Sequence, residues 1–239
     1  MPRTTLQDQP DPWTIWVADA ANGKANEVWR SGNELNDSLP RIAGENVLQW
    51  AAEDRLVFAS ETDGWMRLYS MSANGGDVKA LTPTGCEWES MTLSRDKRSV
   101  VFSSNCDDID RRHLWRADIA DRNRKVITVG TGIEWSPVFT GNAKHLVALA
   151  SNDKVPASAV MLKVEDYIYK DGPITSLTPM ASGSLSTLTL PKISNTETDY
   201  RFTDEVAPKL VTPQRVIFKA ADGQEIHGQL FLPKNAKPT

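Results

Sequence analysis

Apolar residues along the first three quarters of this chain fall into short runs of four or five, or alternate with polar ones, and never settle into helical spacing. The runs also repeat. Leu56-Val57-Phe58-Ala59-Ser60 returns as Val100-Val101-Phe102-Ser103-Ser104 and again as Leu146-Val147-Ala148-Leu149-Ala150, at intervals of 44 and then 46 residues. A second run follows each of the first two, as Leu68-Tyr69-Ser70-Met71 and Leu114-Trp115-Arg116-Ala117, with an earlier copy at Ile15-Trp16-Val17-Ala18-Asp19. A third closes the unit as Lys79-Ala80-Leu81-Thr82 and Lys125-Val126-Ile127-Thr128; Glu27-Val28-Trp29-Arg30 precedes them, and Thr175-Ser176-Leu177-Thr178 reads as a degraded copy. The remaining run of each unit is Val47 to Trp50, Trp88 to Leu93 and Trp135 to Phe139, joined to the next by turns rich in Asp, Asn and Gly.

Four short strands in about 40 to 50 residues, linked by hairpins, is the blade of a β-propeller. The predicted fold is therefore all-β, a partial β-propeller of about three to four four-stranded blades, with an immunoglobulin-like sandwich as the alternative. Residues 1–12 form a polar N-terminal segment, 13–190 the blades, 191–212 a linker and 213–239 a separate terminal hairpin. Closed propellers need roughly four to eight blades. An arc this short is expected to be a fragment, unless Leu185 to Leu190 completes a blade with the N-terminal half blade. Trp50, Trp88 and Trp135 occupy comparable places before the turns, where blade-to-blade packing is the expected role.

Composition adds exclusions. With 40% hydrophobic and 24% charged residues, a net charge of -4 and no Lys/Arg cluster, the chain is expected to fold and not to bind nucleic acid. No apolar stretch reaches the 18 residues of a membrane span. The first twelve residues lack the charged start and apolar run of a secretory signal, which leaves cytoplasm and periplasm both open.

The C-terminal segment breaks the repeat. Gln214 to Lys219 and Glu225 to Pro233 read as two strands around the tight turn Ala221-Asp222-Gly223-Gln224. The whole segment Leu210 to Pro233 (LVTPQRVIFKAADGQEIHGQLFLP) resembles the start of the α/β-hydrolase domain of the prolyl oligopeptidase family, particularly dipeptidyl-aminopeptidase and acylaminoacyl-peptidase-like bacterial members. Glu61-Thr62-Asp63-Gly64-Trp65 before Leu68-Tyr69, and Asn105 to Trp115 (NCDDIDRRHLW), resemble that family's propeller. The resemblance implies a serine peptidase in which a propeller covers the catalytic domain and restricts access to short peptides. On that reading this chain is the non-catalytic propeller part, its partners being peptide substrate in the intact enzyme and an α/β-hydrolase domain lying beyond it. A self-contained binding propeller for a protein or small ligand is the competing class.

No catalytic residue is expected here, because the G-x-S-x-G elbow that exposes a nucleophilic serine does not occur. No cofactor is implied. His113, His145 and His227 are spaced unlike zinc ligands and read as surface or packing residues. Asp107, Asp108 and Asp110 stand beside Arg111 and Arg112, whose charge opposes a cation, so a charged turn is expected and no metal site. Glu87 and Glu89 flank Trp88 on an inner strand, and these three are the candidates for contact with a peptide, although the paired-Glu motif of family relatives is absent. Cys86 and Cys106 are symmetric about residue 96 in the turn between two strands. In a regular hairpin they are rough cross-strand neighbours within disulfide range, so a Cys86–Cys106 disulfide is possible, whereas a bulge of one residue would separate them.

Overall fold

The computed structural model describes residues 9–40, 46–121, 123–167 and 205–234. It is built from antiparallel meanders. Strands β1 (Thr14–Ala18) and β2 (Ala25–Arg30) pair as a two-stranded sheet. Two complete four-stranded sheets follow, β3 (Leu48–Ala51) to β6 (Lys79–Ala80) through β4 (Arg55–Ser60) and β5 (Arg67–Ser72), then β7 (Trp88–Leu93) to β10 (Arg124–Val126) through β8 (Ser99–Ser104) and β9 (His113–Asp118). A three-stranded sheet comprises β11 (Ile133–Phe139), β12 (His145–Ser151) and β13 (Ser158–Lys163). These are the blades of a partial β-propeller, unclosed among the described residues. The expected strands at Thr175 to Thr178 and Leu185 to Leu190 lie outside the described residues, as does most of the expected linker. Strands β14 (Gln214–Lys219) and β15 (Glu225–Leu230) form the terminal hairpin.

The central strands explain why the apolar runs do not alternate with polar residues. Side chains of a strand point to opposite faces in turn, and each inner blade is covered on both faces. On β4, Leu56 and Phe58 pack with Ile15 of β1, whereas Val57 and Ala59 pack with Trp88, Val100 and Phe102 of the next blade. On β8, Val100 and Phe102 face back to the preceding blade while Val101 packs with Leu146, Val160 and Leu162 of the following one. The core is thus three separate layers between successive sheets. Each fully buried Val, Leu or Phe contributes roughly 1.5–3 kcal/mol, which offsets the ordering of strands only four to seven residues long.

The recurring Leu-Thr and Ile-Thr pairs have a specific task. Strands β6 and β10 have only two and three residues. The ladder continues past them because Leu81 N–H and Ile127 N–H donate to the carbonyls of Leu68 and Leu114. Beyond that the threonine side chains take over: Thr82 Oγ1 accepts from Leu68 N–H at 3.1 Å, and Thr128 Oγ1 from Leu114 N–H at 2.8 Å. Both threonines are buried, where an unmatched amide would be costly.

The hairpin turns repeat as well. Ser94 Oγ accepts from Ser99 N–H and Asp96 Oδ1 from Arg98 N–H, just as Thr140 Oγ1 accepts from His145 N–H and Asn142 Oδ1 from Lys144 N–H. Burial works to raise the pKa of Asp96, but the bonds from Ser94 Oγ and Arg98 N–H, with the nearby Arg98 and Arg116 charges, bring it below its ordinary value. A carboxylate held down in this way adds stability that is present above about pH 4 and is lost as the pH falls through the lower folded value. Asp96→Ala is expected to cost about 0.5–1 kcal/mol, at the low end because the turn is exposed, and to flatten the acid limb of urea-denaturation stability. An unchanged acid limb would contradict this reading.

The expected equivalence of the tryptophans does not hold. Trp50 sits beside the turn, opposite Leu56, and is 46% exposed. Trp88 opens its strand at the far end, opposite Ser104, and is 1% exposed. Trp135 is half-buried next to a bulge in β11. Their strands run in the same direction, but a short run of residues around a Trp does not fix its height along the strand.

Candidate functional site

One end of the β7 to β10 blade gathers most of the charged residues singled out in the sequence. There the segment leading into β7 meets the long β8–β9 connection, and Cys86 and Cys106 form a disulfide across it, with Cα atoms 4.9 Å apart and a sequence separation of 20. The hairpin starts out of phase for such a bridge: Leu93 faces Val100 and Ser90 faces Ser103. A bulge at Glu89 then moves the register by one, so that Trp88 faces Ser104. Continuing that phase for two residues sets Cys86 opposite Cys106. The possible bridge is thus formed, and a bulge, which in a hairpin symmetric about residue 96 would separate the cysteines, is here what aligns them.

Around the disulfide the backbone is tightly fixed. Glu87 N–H donates to Asn105 Oδ1 at 2.8 Å, and its carbonyl accepts from Ser104 Oγ at 2.6 Å. Its carboxylate is on the exposed side of the chain. Glu89, the bulged residue, is turned toward Arg112 and pairs with its guanidinium, both side chains being about two-fifths exposed. Trp88 lies inside the inter-blade core with Cys86, Met91 and Phe102, which leaves it no ring face for a peptide. Of the three candidates, then, Glu87 is presented outward, Glu89 is ion-paired and Trp88 is structural.

The acidic run is likewise engaged. Asp108 pairs with Arg111 at 3.1 Å and accepts from Asp110 N–H, while Arg111 Nε also donates to the Thr131 carbonyl. Among the described residues no group of three or more His, Cys, Asp or Glu could hold a metal ion.

Asp110 reaches further. One of its carboxylate oxygens lies 2.8 Å from His227 Nδ1 and the other 3.3 Å from Arg215 Nη1, so it bonds both strands of the terminal hairpin. His227 Nε2 is in turn 3.0 Å from Glu225 Oε1. The bonds to Glu225 and then to Asp110 raise the His227 pKa above its ordinary value of 6.5, against a small opposing effect of burial. A second tie lies at the matching end of the next blade, in the β12–β13 connection. Lys154 Nζ donates to the Leu210 carbonyl at 2.7 Å, and Thr212 Oγ1 donates to Asp153.

Two of these pairings carried no signal in the sequence. His113, 5% exposed, bonds Glu134 Oε2 at 3.0 Å, and the same oxygen accepts from Thr128 Oγ1 at 2.7 Å, which clasps β9 to β11. Asp110 and His227 are 117 positions apart. Nothing local to either residue announces its partner. The arrangement holds no nucleophile next to a base; what it does chemically is fix a charged rim and grip the hairpin.

Residues 15–157 match the family of the dipeptidyl peptidase IV (DPP IV) N-terminal region. Among solved structures, the chain is similar to Porphyromonas gingivalis dipeptidyl peptidase 4, with a TM-score of 0.65 and 13% identity over 95% of this chain and 28% of that one. It is also similar to a puromycin hydrolase, with a TM-score of 0.55 and 16% identity over 87% of this chain and 27% of that one. It spans little more than a quarter of the length of either. No curated protein matches it.

Proposed function

Since the chain belongs to the family of the dipeptidyl peptidase IV N-terminal region, we propose that it is the non-catalytic propeller part of a serine exo- or oligopeptidase, which docks on an α/β-hydrolase domain and gates peptide access to it. The observation that carries this reading is the seating of the terminal hairpin. Its strands present two unlike faces. Arg215, Ile217 and Lys219 lie across from Gln229, His227 and Glu225, whereas Val216 and Phe218 lie across from Gly228 and Ile226, with Leu230 opposite Gln214. The polar face meets the blade rim through Asp110. On the apolar face Phe218 is 56% exposed and Leu230 41%.

A two-stranded hairpin is marginal in water without further strands or a packing partner. The hydrolase sheet suits that apolar face, and a propeller rim gripping its first hairpin would lie over the catalytic centre, so that peptides must pass the rim. Glu87, with its backbone pinned and its carboxylate exposed there, is the candidate for meeting a peptide's amino group; Glu89 is committed to Arg112.

A fluorophosphonate probe tests the assignment. The complete gene product that contains this chain should be labelled on a serine and hydrolyse dipeptidyl p-nitroanilides, while the 239-residue chain alone stays unlabelled. A complete product that takes no label and cleaves no peptide would overturn it.

A further inference from the structure

We propose that the grip of the hairpin on the blade rim is a proton-dependent latch, closed when His227 carries both ring protons and loosened when it loses one. This rests on the docking reading above and assigns a regulation to the same contact. The geometry requires two donors. His227 Nδ1 faces an Asp110 oxygen at 2.8 Å and Nε2 faces a Glu225 oxygen at 3.0 Å, and carboxylates only accept. A neutral imidazole has one N–H, so one of the two contacts would set a nitrogen lone pair against an anionic oxygen.

The surrounding charges cannot replace the lost proton fully. From β14, Arg215 reaches Asp110, at 3.3 Å, and Lys219 stands across from Glu225 in the ladder. From the β8–β9 connection, Arg111 is committed to Asp108 and Arg112 to Glu89. Deprotonation therefore leaves Asp110 with a single cation from the hairpin, at the longer of the two distances.

The direction follows from linkage. Glu225 stands on the same strand as His227 whether the hairpin is docked or free, so only the elevation due to Asp110 is linked to docking: it favours docking fully below the pKa of the free hairpin, and that advantage is lost as the pH rises through the higher docked value. Each unit by which docking on Asp110 raises the pKa corresponds to about a tenfold change in the docking equilibrium. Histidine titration by NMR and amide-exchange protection factors, corrected for the intrinsic pH dependence of exchange, read this directly on the 239-residue chain. Protection across Gln214–Lys219 and Glu225–Leu230 should fall as His227 titrates, above pH 6.5, while protection in Ser99–Ser104 holds.

In His227→Gln the hairpin should be weakly protected at every pH, and Asp110→Asn, which leaves the hairpin sequence intact, should lower the His227 pKa and remove the step. Protection that stays high and flat through the titration would overturn the latch while leaving docking in place. Protection absent at all pH values would overturn both.

Discussion

Replacing Phe58 with alanine is expected to destabilise the protein by about 3–5 kcal/mol and to release the N-terminal sheet before anything else. Phe58 is fully buried and joins the rings of two sheets: Trp29 at 4.8 Å and Trp13 at 6.2 Å on one side, Tyr69 at 5.8 Å on the other. Trp13 and Trp29 also contact one another, at 4.7 Å. Strands β1 and β2 have no further strand beside them among the described residues, so this aromatic layer, with Ile15, Leu56 and Met71, is what holds them. Truncation removes the ring that bridges the layer and leaves a cavity that the surrounding structure relaxes to fill only in part. Amide exchange should show Thr14–Ala18 and Ala25–Arg30 losing protection while Ser99–Ser104, in a different layer, keeps most of its own. A loss below 1 kcal/mol, or a uniform loss across all blades, would mean that the layers are not separable.

The second large effect lies at the disulfide. Opening the Cys86–Cys106 loop, which has a separation of 20, by the double change to serine is expected to cost about 3 kcal/mol on loop entropy alone. For a domain of this size that corresponds to a fall in Tm of about 6–12 °C. Both sulfurs are buried in the core between the blades, with Trp88 and Phe102, so the serine hydroxyls would also be poorly hydrated there. Calorimetry of oxidised wild type against the double serine variant measures the change, and reductant should lower the wild-type Tm toward the variant. Equal Tm values for the two proteins would contradict the structure.

The propeller was legible because its physics is local and repeated. Leu56 to Ala59 and Val100 to Phe102 are continuous apolar runs since both faces of those strands are covered, and Thr82 and Thr128 recur 46 apart because each completes the same short outer strand. The terminal hairpin was equally plain from its turn and its alternation. What the sequence hid was anything decided by a one-residue shift or by distant partners. The bulge at Glu89 rotates that residue to Arg112 and aligns the cysteines, yet no residue type there marks it as a bulge. Glu134 drew no attention as a residue, though it anchors His113 and Thr128. Asp110 looked like one acid among several in a charged turn, and only the fold brings it to His227 and Arg215.

These same features bear on the proposed role. Asp110 stands in the β8–β9 connection, four residues after the disulfide at Cys106, so the bridge that stabilises the blade also limits where the carboxylate can move. The other tie, at Lys154 and Asp153, occupies the matching connection of the following blade. Repetition of the blade therefore supplies two grips at the same end of the arc.

Peptide-length selectivity of the complete gene product tests that gating most directly. Specific rates, as kcat/KM, should be high for peptides of a few residues and fall steeply for long unfolded polypeptides, and Asp110→Asn should raise the long-substrate rate relative to the short one. Rates independent of length in the wild type, or a ratio of long to short untouched by Asp110→Asn, would contradict the account.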